Sequence, residues 1–176
     1  MNKRSLLLTA LMLVTPLVAL AAPPKPLRVN ESVDIKAPLD KVWAAAKDFD
    51  SLNKWHPGFA KDVLMKGKNN TQGAVRQLTI KDGPSFTEEL LDFSETLHTY
   101  QYRIIESPLP LNGYVATFTV KPGKKPDTTT VSWSAKFTRK NLADNPPAGE
   151  TDDDAQKLIT GVFQSGLANL KKITEG

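Results

Sequence analysis

The sequence predicts an α+β fold: a seven-stranded antiparallel sheet with one long helix laid across it and two short helices after the first strand. Three observations predict it. The segment Arg28 to Ala37 alternates Val29, Glu31, Val33 and Ile35 with polar neighbours, the period of a strand. Six further strand-like segments then follow one another with short turns between them, which makes an antiparallel meander the natural topology. The last 25 residues form a single amphipathic pattern. One straight helix meets seven strands only if the sheet curves around it.

Before the first strand, residues 1–21 read as a secretory signal peptide. Lys3 and Arg4 precede an apolar run from Leu6 to Leu20, which closes on the small-x-small pattern Ala19-Leu20-Ala21. The run is short, contains Pro16 and has no cationic stop after it, so a permanent membrane span is not expected. Pro23 and Pro24 blur the cleavage bond, and residues 22–27 form an extended leader. A single domain over 28–176 follows, in a processed chain of about 155 residues that is long enough for a real core. Export to the periplasm is the expected location.

The first strand leads into "PLDKVWAAAKDF". Pro38 suits a helix start and Asp40 a first turn, while Val42, Trp43, Ala46 and Phe49 share one face. Asp50 or Ser51 is placed to cap one more turn, which Pro57 and Gly58 end. The six strand segments are "KDVLMKG", "AVRQLTI", "FTEELLDF", "TYQYRII", "YVATFTV" and "TTTVSWSAKFT". A polar loop precedes the final helix of about 20 residues, close to 30 Å long. Asp152 to Asp154 at its start and Lys171 and Lys172 at its end oppose the helix dipole. Its apolar face is expected to hold Ala155, Leu158, Ile159, Val162, Gly166, Leu170 and Ile173.

Composition excludes several functions. The chain has no cysteine, so it has no disulfide, thiolate nucleophile or lipoprotein anchor. The formal charge is +4, and loss of Lys3 and Arg4 leaves about +2, with 21 basic and 19 acidic side chains. The basic residues are scattered; the densest cluster, Lys121 to Lys125, reads as a hairpin tip. No basic stripe with interleaved aromatics suggests nucleic acid. No metal-ligand spacing is present, and no cofactor is expected.

The opening "APLDKVWAAAKDFDSLNKWHP", with Glu31 before it, resembles the SRPBCC superfamily, the START-like or birch-pollen-allergen helix-grip fold. More narrowly, "FTEELLDF" and "YQYRIIESPLPLNGYVATFTV" resemble the bacterial branch akin to plant abscisic-acid receptors and polyketide cyclase/dehydrase proteins. With a signal peptide, the chain is similar to MxaD-like periplasmic proteins linked to methanol oxidation. The resemblance implies a cavity between the concave sheet face and the last helix. It also places the turns "KDGPS" and "SPLPLNG" where the receptors carry gate and latch loops. Pro108 and Pro110 replace the hormone-sensing residues there, which argues against abscisic acid as ligand.

Period-two reading selects side chains for such a cavity: Tyr102, Tyr114, Phe118 and Trp133 from the strands, and Leu158, Val162 and Gly166 from the helix. These aromatics equally suit a filled core. Gly166 would leave room where a larger residue plugs the space. Glu88 matches a receptor cavity carboxylate by resemblance, but the alternation breaks at Leu90-Leu91, so Glu88 and Glu89 are both open as the inward residue. The corner Trp55-His56-Pro57 is expected to close the cavity end, with Trp55 packed under it and His56 open as a ligand contact or a general base. Four functions follow: a module binding a small hydrophobic ligand or lipid; an accessory docking to a periplasmic dehydrogenase or cytochrome; a cyclase/dehydrase-type enzyme; and a structural or assembly factor whose own side chains fill the cavity. The enzyme requires at least two of Glu88, Tyr114 and His56 to converge within hydrogen-bond reach.

Overall fold

A computed structural model describes residues 24–176, so the signal-peptide assignment lies outside the described residues. The elements are β1 (Leu27–Ile35), α1 (Leu39–Ala46), a 3₁₀ turn (Phe49–Ser51), α2 (Leu52–Trp55), β2 (Phe59–Lys66), β3 (Val75–Ile80), β4 (Ser85–Ser94), β5 (Thr99–Glu106), β6 (Leu111–Pro122), β7 (Thr129–Arg139) and α3 (Asp152–Glu175). The seven strands form one sheet in the order β1-β7-β6-β5-β4-β3-β2, every pair antiparallel. The meander expected from short turns therefore runs from β2 to β7. β1 closes on β7, and the curved sheet wraps α3 in the helix-grip arrangement.

Alternation is the physical basis of the concave face. Tyr114, Ala116, Phe118 and Val120 of β6, and Val131, Trp133, Ala135 and Phe137 of β7, are all buried. The break at Leu90-Leu91 is a β-bulge. Leu90 pairs with Tyr102 and Asp92 with Gln101, which leaves Leu91 unmatched. On the near side of the bulge Glu88 points inward at 4% exposure. Glu89 faces out, where Arg103 donates to it at 2.8 Å.

Two helix starts have partners the chain pattern did not name. Thr151 and Asp154 make a reciprocal capping box at the start of α3. At α2, Ser51 makes no side-chain cap; its hydroxyl donates to the Asp48 carbonyl instead. The Leu52 N–H is taken at 2.8 Å by Asp62 Oδ2, reaching across from β2.

The buried face of α3 is turned from the one expected. Ala155, Ile159, Phe163, Gly166, Leu167, Leu170 and Thr174 are buried, whereas Leu158 and Ile173 are exposed and Val162 is half-buried. The axis of the stripe is set by Phe163, whose ring stacks on Trp133 at 4.3 Å between centroids and 12° between planes. Thr174 tolerates burial because its hydroxyl donates back to the Leu170 carbonyl at 2.7 Å. Leu158 and Val162 are left on the border of the stripe.

Gly166 does not leave open space. A Cβ there would lie 2.5 Å from His56 Cδ2 and 3.0 Å from Trp133 Cζ3, so the glycine is what lets the α2 corner and β7 reach the helix. Gly161, on the same helix, would meet nothing within 4 Å. The two glycines are therefore expected to respond oppositely to alanine. Gly161→Ala should stabilise by up to about 1 kcal/mol through helix propensity. Gly166→Ala should destabilise by about 1 kcal/mol net, because overpacking against a fixed ring outweighs the same propensity gain. Urea denaturation of the two variants beside the parent checks the sign of each.

Candidate ligand-binding site

The "KWHP" corner is held by its own hydrogen bonds. His56 N–H caps α2 by donating to Leu52 O at 2.8 Å. Its ring Nε2 lies 2.8 Å from the Val162 carbonyl, which can only accept, so Nε2 carries the hydrogen. Nδ1 is then free of hydrogen and accepts the Gly58 N–H at 3.0 Å. Both ring nitrogens are spent, so the imidazole has no lone pair for a substrate proton, and the general-base role is not supported. Asn169 ties the same corner to α3 by donating to Trp55 O at 2.8 Å.

Burial lowers the His56 pKa, and the Val162 carbonyl only partly offsets this. A lowered pKa means that the unfolded chain binds the proton first. The resulting stability is present above about pH 6.5 and is lost as pH falls from there toward the folded value, with a slope of at most about 1.4 kcal/mol per pH unit. His56→Gln is expected to flatten this acid limb. Denaturation midpoints of both proteins at pH 7 and pH 5 check it.

Beyond the corner is a cavity of about 180 Å³ between the concave sheet face and α3. His56, Glu88, Tyr102, Tyr114, Trp133, Leu158 and Val162 all line it, together with Leu52, Gly58, Phe59, Ile80, Phe86, Ile104, Leu109 and Ile159. Ile80 and Phe86 flank the "KDGPS" turn, and Leu109 belongs to the "SPLPLNG" connection. Trp55, Phe118 and Gly166 do not line it. Trp55 and Phe118 pack against each other, 5.6 Å between ring centroids, and both stand against Trp133 in the core. Gly166 is covered by His56 and Trp133. The volume is close to that of an engineered protein cavity of about 150 Å³ that takes benzene.

The polar end of the cavity rests on a buried ion triad. Arg76, 1% exposed, donates to Glu88 Oε2 from Nε at 2.9 Å and from Nη2 at 2.6 Å. Its Nη1 donates to the Phe49 carbonyl and lies 3.3 Å from Asp62 Oδ2. The guanidinium also sits 4.1 Å from the centroid of the Phe49 ring and 5.3 Å from that of Tyr102. Burial alone would lower the arginine pKa, but Glu88 and Asp62 more than offset this, and the cation is retained. Burial raises both carboxyls, and Arg76 opposes the rise in each. Trp133 Nε1 donates to Tyr102 Oη at 2.9 Å, and burial pushes the Tyr102 and Tyr114 phenols up, so both stay protonated.

Arg76 and Asp62 were not singled out from sequence. For Arg76 a signal existed: period two places it on one face with Ala74 and Leu78, both buried. A charged residue on an apolar face calls for a buried partner. For Asp62 the flanking Lys61 and Val63 give no such signal.

Comparison with known proteins agrees with this geometry. Residues 26–175 match the family described as polyketide cyclase / dehydrase and lipid transport. The abscisic acid receptor PYL10 of Arabidopsis thaliana is 27% identical over 146 residues, covering 80% of this chain and 75% of the receptor. The structure of XoxI from Bacillus cereus superposes with a TM-score of 0.73 at 28% identity, covering 84% of this chain and 94% of that one. The Zhui aromatase/cyclase of a Streptomyces species shares the fold with a TM-score of 0.68 at 19% identity, over 86% of this chain and 94% of the enzyme. With a match over almost all of the described residues and a helix-grip architecture to accompany it, this chain belongs to the polyketide cyclase / dehydrase and lipid transport family, within the SRPBCC superfamily.

Proposed function

We propose that this is an exported periplasmic binding protein that holds a small, mostly apolar molecule in the cavity under α3. The observation that carries the reading is a space of about 180 Å³ walled by aromatic and aliphatic side chains, with Glu88 as the one carboxylate among its lining residues. An enzyme of the aromatase/cyclase kind is less well supported. Among the described residues no hydrogen bond joins any two of Glu88, Tyr114 and His56, and the histidine nitrogens are spent on Val162 and Gly58. The resemblance to MxaD-like proteins is the ground for a role beside a periplasmic dehydrogenase or its cytochrome.

The test is native mass spectrometry of protein recovered from the periplasmic fraction of its own cells, followed by organic extraction. Recovery in that fraction, shortened by the signal peptide, supports export. A co-purifying apolar molecule that is lost in Val162→Phe, a substitution on the cavity wall, supports binding. A protein that stays empty after exposure to periplasmic extract overturns the binding reading.

A further inference from the structure

The cavity wall carries a specific polar instruction. Glu88 Oε2 accepts two N–H groups of Arg76, and this charge-assisted pairing favours the ionised carboxylate against the rise that burial imposes. Glu88 Oε1 has no protein partner among the described residues, and the side chain lines the cavity. An ionised carboxylate oxygen only accepts. Tyr114, on the same lining, is held protonated by burial and carries a hydroxyl that donates. The charges behind this wall are one guanidinium against the carboxylates of Glu88 and Asp62, with Asp50 adding to the negative side at Asp62. His56, the remaining ionisable group among the lining residues other than the phenols, is neutral with both nitrogens engaged.

An anionic ligand would bring a second negative charge against an acceptor that has no proton to give. An ammonium would gain from the net negative charge of this wall, but it would give up the hydration of a full charge for a largely apolar space, a cost that a buried ion pair often fails to recover. A neutral hydroxyl meets neither cost, and it can donate to the unpartnered oxygen of Glu88. Resting on the binding role proposed above, we infer that the ligand is a neutral, hydroxyl-bearing molecule with an apolar body about the size of one ring, and that the cavity discriminates against carboxylates and amines of the same shape.

The test is calorimetric titration of the intact processed protein at pH 7 with four probes of one shape: toluene, benzyl alcohol, benzylamine and benzoate. Benzyl alcohol is expected to bind about tenfold more tightly than toluene, the factor that about 1.4 kcal/mol from a hydrogen bond to a charged acceptor gives. Benzoate and benzylamine should bind more weakly than toluene. Equal affinity for toluene and benzyl alcohol overturns the inference and leaves the binding role standing. Benzoate or benzylamine as the tightest probe overturns it in the same way. No binding by any of the four overturns the inference together with the binding of small apolar molecules. In Glu88→Gln the preference for alcohol over toluene should shrink several-fold while toluene affinity is kept. The parent panel decides the matter without that variant if it fails to fold.

Discussion

Arg76→Met is expected to cost about 3–5 kcal/mol of folding stability, as large an effect as any substitution outside the hydrophobic core should have. Methionine fills much of the same space, so the loss is electrostatic. Glu88 and Asp62 remain buried, with side chains 5% and 0% exposed, and the cation that keeps them charged is gone. The Phe49 carbonyl, which the guanidinium also satisfies, loses a donor. Removing one partner of a buried ion pair is far more costly than the pair is stabilising, because the abandoned charges have no water.

The pH dependence identifies the cause. Burial already raises both carboxyls above their ordinary values, and removal of Arg76 takes away the influence that opposes the rise. A carboxyl with a raised folded pKa binds its proton more tightly in the folded state. Its stabilising contribution is complete below the unfolded value near pH 4 and is lost as pH rises through the folded value. The variant should therefore lose most at pH 8 and recover toward pH 5. Guanidinium denaturation at the two pH values checks this, and a deficit independent of pH would point to packing. Adding Glu88→Gln and Asp62→Asn to Arg76→Met should restore a large part of the loss at pH 8.

This triad also shows where the sequence stopped being readable. Each strand was visible because its residues alternate locally, and local alternation needs no knowledge of the partner strand. Glu88 against Glu89 was undecidable because a bulge at Leu91 shifts the register, and a bulge is set by the pairing with β5. The end-capping role of Asp62 depends on β2 folding back beneath α2, a contact across ten residues with no periodic trace. The helix face was misplaced by a fraction of a turn because Phe163, Leu167 and Thr174 compete with Leu158, Val162 and Ile173 for burial. Hydrophobicity alone does not choose between them; the ring of Trp133, 30 residues away, does. Gly166 suggests open space for the same reason. A missing side chain is seen in the sequence, but the side chain that occupies its place is not. Of the site, Tyr102, Tyr114, Trp133 and Glu88 are legible as candidates, Phe118 has the same alternation but packs in the core, and the arginine that sets the electrostatics is marked only by its place on an apolar face.

Phe163→Ala is the second substitution with a large expected effect, about 3–5 kcal/mol, the usual cost of truncating a fully buried phenylalanine. The ring is the main knob of α3 in the sheet, and its loss leaves a void that the sheet cannot close. The void is bordered by Trp133, which would lose its stacking partner on one face while keeping the hydrogen bond from Nε1 to Tyr102. Because Trp133 also walls the cavity, the void and the binding space then share one flexible partition. Stability and binding should therefore separate. The denaturation midpoint should fall while the enlarged space accepts a bulkier apolar probe, such as naphthalene, more tightly than the parent does. Phe163→Leu, which keeps most of the volume, should cost less and leave the probe preference as in the parent. If Phe163→Ala lowers stability but leaves the size preference unmoved, Trp133 is held in place by its bond to Tyr102 and by the Trp55 and Phe118 rings alone. The helix would then act as a lid on a wall the sheet builds by itself.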